Sequence, residues 1–268
     1  MTTLTGKAAE FLALHKPGAP LLQPNAFDVG SARLLESMGF AAIATTSSGA
    51  AGTLGKLDGQ MTRDEVLAHC AALSAAVSIP VAADYENGFA DDPSEVADSV
   101  RLAAATGLAG LSIEDWSGDA IYERGLAVDR VAAAADAAHA GDAPLVLTAR
   151  AENLIRGIDD LDDAIARAQA FQDAGADVIF VPGLRTLEQV RAVVSSVDAP
   201  VTVLVLGGAP SVAELAEAGV ARISVGGSFM YSAYAAVVAA ATELREHGTY
   251  GYWDAIAAGR DTIRSAFG

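Results

Sequence analysis

Ile79-Pro80-Val81-Ala82-Ala83-Asp84-Tyr85-Glu86-Asn87-Gly88-Phe89 is a short apolar run that ends abruptly in two carboxylates and a glycine turn. Flanked by Pro and Gly, such a run reads as a strand buried on both faces, the kind found in parallel sheets wrapped by helices. Acids at its carboxyl end do not belong in a dry core unless they are paired or bind a metal. A second run, Leu108-Ala109-Gly110-Leu111-Ser112-Ile113-Glu114-Asp115, ends the same way. Acids closing two successive strands predict a hard-cation site, because Mg2+ takes oxygen ligands and keeps several of its waters. The competing reading is that they cap the following helices or face solvent.

Outward from this stretch, a half-motif recurs: a helical pattern, a glycine, then a β-rich run. It appears at Ser37-Met38-Gly39, Ala105-Thr106-Gly107, Asp173-Ala174-Gly175 and Glu217-Ala218-Gly219. Glycine just past a helix accepts the left-handed cap without steric cost, so each unit is a helix stopping and a strand starting. Strands are predicted at 20–23, 41–46, 80–84, 108–114, 144–150, 177–182, 200–206 and 222–226. Amphipathic helices are predicted between them at 62–77, 93–105, 128–140, 161–174, 186–196 and 212–218. Helices alternating with short buried strands give right-handed βαβ units and a parallel sheet. Eight such strands match the count of a (β/α)8 barrel, a TIM barrel within the α/β class. No Gly-x-Gly-x-x-Gly follows the first strand, so a dinucleotide-binding open sheet has no support. Two further helices, 229–247 and 252–267, follow the eighth strand. One would close the barrel, and the other is surplus and suited to packing on a partner subunit.

The chain has 268 residues, which suits one barrel domain over 1–268 with 229–268 as a helical extension. Hydrophobic residues make up 52% and charged residues only 19%, a composition for a filled interior and not for disorder. A net charge of −17 repels nucleic acid and anionic membranes. A small anionic substrate would therefore need a local cation. The single Cys70 rules out an internal disulfide framework and fits a reducing cytosol. The stretch 1–7 lacks the apolar core of a signal peptide, and no apolar run is long enough to span a bilayer. The expectation is a cytoplasmic protein. Cys70 reads as core packing, and the four histidines fall on predicted helices or their ends without metal spacing.

Barrel enzymes carry their chemistry on the loops after the strands' carboxyl ends. Those ends read Pro24-Asn25, Thr45-Thr46-Ser47-Ser48-Gly49, Asp84-Tyr85-Glu86, Glu114-Asp115, Thr148-Ala149-Arg150, Pro182-Gly183, Gly207-Gly208 and Gly226-Gly227. This is a polar ring with one cation, Arg150. The small hydroxyl residues before Gly49 predict a turn with exposed backbone N–H groups, a cradle for a carboxylate or phosphonate. Asp58, in a glycine-flanked loop, would reach the same cavity. The alternative reading of Arg150 is an internal partner for Glu114 or Glu152.

Together, Pro24-Asn25-Ala26-Phe27-Asp28, the Thr-Ser-Gly turn, Asp58, Ala83–Phe89, Ile113-Glu114-Asp115 and Ala149-Arg150 resemble the isocitrate lyase/phosphoenolpyruvate mutase superfamily over nearly the whole chain. The likeness is greatest to its small bacterial members with an Asp-x-Glu metal motif. The resemblance implies a Mg2+-dependent barrel, with Mn2+ as a substitute, acting on 2-oxo acids or their phosphonate relatives. It implies that Asp84 holds the metal directly while Glu86, Glu114 and Asp58 hold its waters. Thr46 and Ser47 would bind the substrate carboxylate, with Asn25 and Gly49 beside them, and Arg150 would face the substrate's charge. It also implies a dimer of dimers that exchanges a C-terminal helix.

The loop after Asp115 departs from the named enzymes. Isocitrate and methylisocitrate lyases carry Lys-x-Cys-Gly-His there, and phosphonomutases a Lys and an Asn. This chain reads Trp116-Ser117-Gly118-Asp119-Ala120-Ile121-Tyr122-Glu123-Arg124-Gly125. Tyr122, Glu123 and Arg124 are left as candidates in this loop, the spacing selecting none of them, with Tyr122 and Glu123 taken as acid–base candidates alongside Glu114 and Arg150. The expected activity is cleavage or formation of a C–C bond in a small 2-oxo or 2-hydroxy carboxylate through an enolate. Decarboxylation or retro-aldol cleavage fits the missing cysteine, since loss of CO2 needs no dedicated base. The rivals are a phosphorus–carbon mutase or hydrolase and a barrel that binds 2-oxo acids without catalysis.

Overall fold

The computed structural model describes Leu4 and residues 6–268, so the reading of stretch 1–7 falls largely outside the described residues. In chain order the elements are α1 Gly6–Ala13, β1 Leu21–Gln23, α2 Val29–Ser37, β2 Ile43–Ala44, α3 Ser47–Thr53, α4 Arg63–Ala76, β3 Val81–Asp84 and α5 Pro93–Ala104. Then come β4 Gly110–Glu114, α6 Arg124–Ala138, β5 Val146–Arg150, α7 Leu161–Asp173, β6 Val178–Phe180, α8 Leu187–Val194, β7 Val201–Leu204, α9 Val212–Glu217 and β8 Arg222–Ser224. Two long helices, α10 Ser228–His247 and α11 Trp253–Phe267, complete the chain. The eight strands are parallel, in the order β1-β8-β7-β6-β5-β4-β3-β2. A parallel bridge from Asn25 to Ala44 joins the two ends of the sheet. There the Ala44 N–H donates to the Pro24 carbonyl at 3.0 Å and the Ala26 N–H to the Ala44 carbonyl at 2.7 Å. The (β/α)8 barrel expected from the alternating pattern is the fold.

Local chemistry sets the boundaries. Thr62 with Glu65, Thr186 with Gln189 and Ser211 with Glu214 form capping boxes that satisfy the first N–H groups of α4, α8 and α9. Gly107 and Gly175 stand at φ +83° and +103°, the left-handed caps that turn a helix back into a strand. The helices then press small apolar faces together and onto the barrel. Val96, Val100 and Ala103 of α5 and Ala127, Val131 and Ala134 of α6 are all buried. Each buried valine contributes about 1.5–3 kcal/mol.

Three features differ from expectation. The segment after β2 is not an open turn but the helix α3, capped by Thr46, whose Oγ1 accepts from the Gly49 N–H at 3.3 Å. A Cβ on Gly49 would lie 2.4 Å from Thr46 Cγ2, so glycine permits this tight first turn. Helix α6 starts at Arg124, earlier than the predicted 128, because the Glu123 carboxylate accepts from the Gly125 N–H at 2.8 Å. Neither terminal helix covers the barrel in the expected manner: α10 rests on α3, and α11 on α2. Leu22 on β1 stays 43% exposed.

The floor of the barrel is plugged by α1. Phe11 is fully buried, and a Cβ on Gly110 would meet its ring at 3.0 Å, so β4 needs glycine there. The His15 ring takes Phe11 O at 2.9 Å on Nδ1 and Arg222 Nη1 at 3.1 Å on Nε2. Arginine can only donate, so Nε2 accepts and Nδ1 carries the proton. Burial, and secondarily Arg222, pushes the His15 pKa down to about 3.

Two outcomes follow from this floor. Phe11→Ala lowers stability by about 3–5 kcal/mol, read from the urea midpoint at constant slope. Unfolded His15 takes up a proton near its ordinary pKa while the folded ring stays neutral. Its contribution is therefore intact above about pH 6.5 and is lost progressively as pH falls toward 3. Thermal melts over this range should show a shallower acid decline for His15→Gln than for the wild type.

Candidate active site

Three neighbouring strands end in Asp84, Glu114 and Arg150, so their side chains meet at one rim of the barrel. Glu114 and Arg150 are in register across β4 and β5. Arg150 Nη1 donates to Asp84 Oδ1 at 2.6 Å, and Nε and Nη2 reach Glu152 Oε1 at 2.9 and 2.8 Å. Nη2 also lies 3.2 Å from Glu114 Oε2. Burial works against the charge of this guanidinium, but Glu152, Glu114 and Asp84 outweigh it and hold its pKa above the ordinary value. A second cation, Arg156, bonds Glu152 Oε2 at 3.1 Å and Glu114 Oε1 at 3.3 Å. Its guanidinium stacks 4.6 Å from the centre of the Trp116 ring.

Above this network opens a cavity of about 430 Å3, lined by Ser47, Asp58, Met61, Glu86, Asn87, Phe89, Glu114, Trp116, Ser117, Arg150 and Arg156, with Gly59 and Gly118. Glu86 reaches it from a strained backbone: its φ is +48°, a left-handed conformation rare for a residue with a side chain. The Glu114 N–H donates to the Glu86 carbonyl at 2.9 Å and holds that turn against β4. Glu86 Oε1 is buried with no hydrogen-bond partner among the described residues. Burial, then Asp84 and Asp58, pushes the Glu86 pKa up to about 7. Glu114 is pushed up to about 8, burial leading, Arg150 opposing, and Glu152 and Asp84 adding to it.

These acids outnumber the two arginines, and the excess is what a divalent cation would neutralise. Among the described residues no three His, Cys, Asp or Glu side chains converge as a ready cage. Sparse protein ligation suits Mg2+, which keeps much of its water shell. The unpartnered Glu86 oxygen and the surplus of carboxylates therefore fit such an ion.

The site residues expected from sequence divide. Asp58, Glu86, Glu114, Ser47 and Arg150 line the cavity. Asp84 lies at its floor, where its Oδ2 accepts from the Ser47 N–H at 2.9 Å. The cradle read from Thr46 to Gly49 is largely spent within the protein: the Ser47 amide serves Asp84, and the Gly49 amide serves Thr46. Asn25 clamps the barrel seam, donating to Thr45 O at 2.6 Å and accepting from the Val225 and Gly226 amides at 3.0 and 2.8 Å. Tyr122 does not line the cavity: its hydroxyl donates to Asp91 and accepts from Asn87, with Arg130 over its ring. Glu123 caps α6. Asp115, the fourth strand-end acid, is structural: it accepts from the Glu152 amide at 2.8 Å and from Arg167 Nη1 at 3.1 Å. The reading that paired Arg150 with Glu114 or Glu152 describes both contacts. Arg156 went unread, although Glu152 and Arg156 stand at the i,i+4 spacing of an ion pair.

The chain matches the family model described as phosphoenolpyruvate phosphomutase over residues 11–245. It is 33% identical to 2-methylisocitrate lyase of Escherichia coli (strain K12), the match covering 71% of this chain and 70% of that one. It is 32% identical to oxaloacetate decarboxylase of Bradyrhizobium sp. (strain ORS 278), covering 69% of this chain and 65% of that one. A crystal structure from Burkholderia cenocepacia J2315 superposes with a TM-score of 0.92 at 48% identity, over 96% of this chain and 94% of that one.

The electrostatics of the rim predict unequal costs for its two arginines. Arg150→Met strands buried carboxylates and should cost about 3–5 kcal/mol. Arg156→Met, whose side chain is 33% exposed, should cost much less. Urea unfolding of both variants checks the order.

Proposed function

We propose that the chain, which belongs to the isocitrate lyase/phosphoenolpyruvate mutase superfamily, is a divalent-metal-dependent lyase that breaks a C–C bond in a small 2-oxo or 2-hydroxy carboxylate. Decarboxylation of a 2-oxo dicarboxylate of the oxaloacetate type is the favoured reaction. The observation that carries this choice is what the loop after β4 offers to the cavity. It contributes Trp116, Ser117 and Gly118, none of which readily exchanges a proton near neutral pH. A lyase that must deprotonate or protonate carbon with a dedicated side chain has no such group on this loop. Loss of CO2 needs none.

Asp84, with Glu86, Glu114 and Asp58, would hold Mg2+ or Mn2+, which when bound supplies positive charge for an enolate oxygen. The rest is work for the chain's own residues. Arg156, backed by Glu152 and braced on Trp116, presents its guanidinium to a substrate carboxylate at the mouth. The Ser47 hydroxyl faces the same space. Arg150, locked by its acids, fixes the orientation of Asp84 and Glu114. Phe89 and Met61 supply the apolar part of the wall. In the reaction the bond to the departing carboxylate breaks and its electron pair passes to the ketone oxygen. CO2 leaves, and solvent water protonates the enolate carbon.

The family model's description favours phosphorus–carbon chemistry as a second reading, which 31P NMR of phosphonopyruvate would detect as a change in the phosphonate signal. A 2-oxo acid sensor is the third, marked by calorimetric binding without turnover. We place the protein in the cytoplasm as a homo-oligomer with neither nucleic-acid nor membrane partners. The oligomer rests on the apolar row Tyr231, Tyr234 and Val238 of α10, all exposed, and on the uncovered Leu22 of β1. Exchange of the α10–α11 arm in a dimer of dimers would cover both.

The direct assay is CO2 release or 2-oxo acid consumption from oxaloacetate and its homologues with Mg2+, Mn2+ or EDTA. Metal-dependent turnover is expected, and Asp84→Asn should lower kcat by about 100-fold or more. Absence of metal-dependent turnover with every 2-oxo and 2-hydroxy acid tried would reject the lyase. Light scattering should report a mass well above one chain, and a chain truncated after residue 227 should become monomeric.

A further inference from the structure

Beside Asp84 and Arg150, which line it, the barrel holds a second, smaller cavity of about 90 Å3, whose wall also includes Gln23, Thr45, Ser112, Thr148, Arg222 and Ser224. Arg222 is only 5% exposed, and its situation is the reverse of that of Arg150. Its Nη1 donates to His15 Nε2 at 3.1 Å and its Nη2 to Thr148 Oγ1 at 3.2 Å. Both partners are neutral, His15 because its protonation is suppressed to about pH 3. Arg222 Nε is buried with no partner among the described residues. Burial pulls the Arg222 pKa down to about 9 with no carboxylate offsetting it. Thr202 is in register with Arg222 on β7, so its side chain shares the inner face. It is fully buried, and its Oγ1 also lacks a partner among the described residues.

A buried guanidinium without a counter-charge is costly, and buried polar groups are normally satisfied. The cavity has room for several water-sized particles. Waters would bond Nε but leave the charge uncompensated, whereas an anion does both. The Asp84–Arg150 pair forms part of its wall. Asp84 is the carboxylate on this wall, and its charge is directed to Arg150 and the Ser47 amide. We propose that a monovalent inorganic anion of halide size binds inside the barrel as the counter-ion of Arg222, with the hydroxyl of Thr148 able to donate to it. The cavity shares Arg150 with the catalytic one, but the anion site does not depend on which reaction is performed there.

Bromide is the probe. Crystals grown from gluconate salts and soaked in sodium bromide should show an anomalous peak in this cavity beside Arg222. In solution, replacing sodium gluconate by sodium chloride or bromide at constant ionic strength should raise Tm by on the order of 5 °C, rising with the logarithm of halide concentration. Arg222→Met should abolish that dependence. If that variant does not fold, Thr148→Val serves in its place and should move the halide response to higher concentration. The proposal is overturned by the absence of a bromide peak in the cavity, by a Tm indifferent to halide in the wild type, or by an unchanged response in whichever variant is measured.

Discussion

One guanidinium holds the working end of this barrel together. Arg150, at the end of β5, is shared among Asp84 and Glu114, the acids ending β3 and β4, and Glu152 of the loop just beyond β5. Each of those carboxylates would be expensive to bury alone. Held around a common cation, they form a fixed acidic rim whose members cannot turn away from the cavity. The arrangement also explains why Arg150 is better charged than an ordinary arginine while Glu114 is worse charged than an ordinary glutamate. The cation is stabilised by several neighbours at once, whereas Glu114 is crowded by acids in a dry place.

That crowding is the site's chemical content. Glu86 sits on a left-handed backbone with a buried oxygen left unbonded. Backbone strain and an unsatisfied acceptor are each costly, and both recur at functional sites. Together with the surplus of carboxylates they describe a pocket built to meet positive charge that the protein itself does not fully supply. Arg156 and Trp116 close the other side with a cation suited to a substrate carboxylate. The barrel's two interior arginines thus stand in opposite situations: Arg150 has more acids than it can neutralise, and Arg222 has none.

The strands, the helices and the strand-end acids were legible because their signals are local. A buried parallel strand is a short apolar run, a helix end is a glycine, and an acid after such a run has few innocent explanations. Asp84, Glu86 and Glu114 were read this way, whereas Asp58 was read from its glycine-flanked loop and Arg150 as the one cation among the strand ends. The Thr46–Gly49 segment was misread as an open cradle because the same small polar residues serve a tight helix start, and only the packing of Gly49 against Thr46 separates the two. Tyr122 and Glu123 lie in the loop where an acid or base was sought, yet loop position does not fix direction. Tyr122 is drawn to Asp91, and Glu123 to the first amides of α6.

What the sequence determined by itself was periodic or immediately adjacent: eight strand–helix units, their parallel arrangement, and which chemical groups end each strand. Hydrophobic alternation and helix capping act over a few residues and so leave their mark in the order of the letters. What only the tertiary structure decided was pairing at long range. It assigned Arg150 to three acids at once, brought Arg156 over Trp116, and left Arg222 beside a neutral histidine, His15, just past α1. Those choices depend on barrel closure and strand register, which set distances between residues up to 207 positions apart and have no counterpart in local sequence.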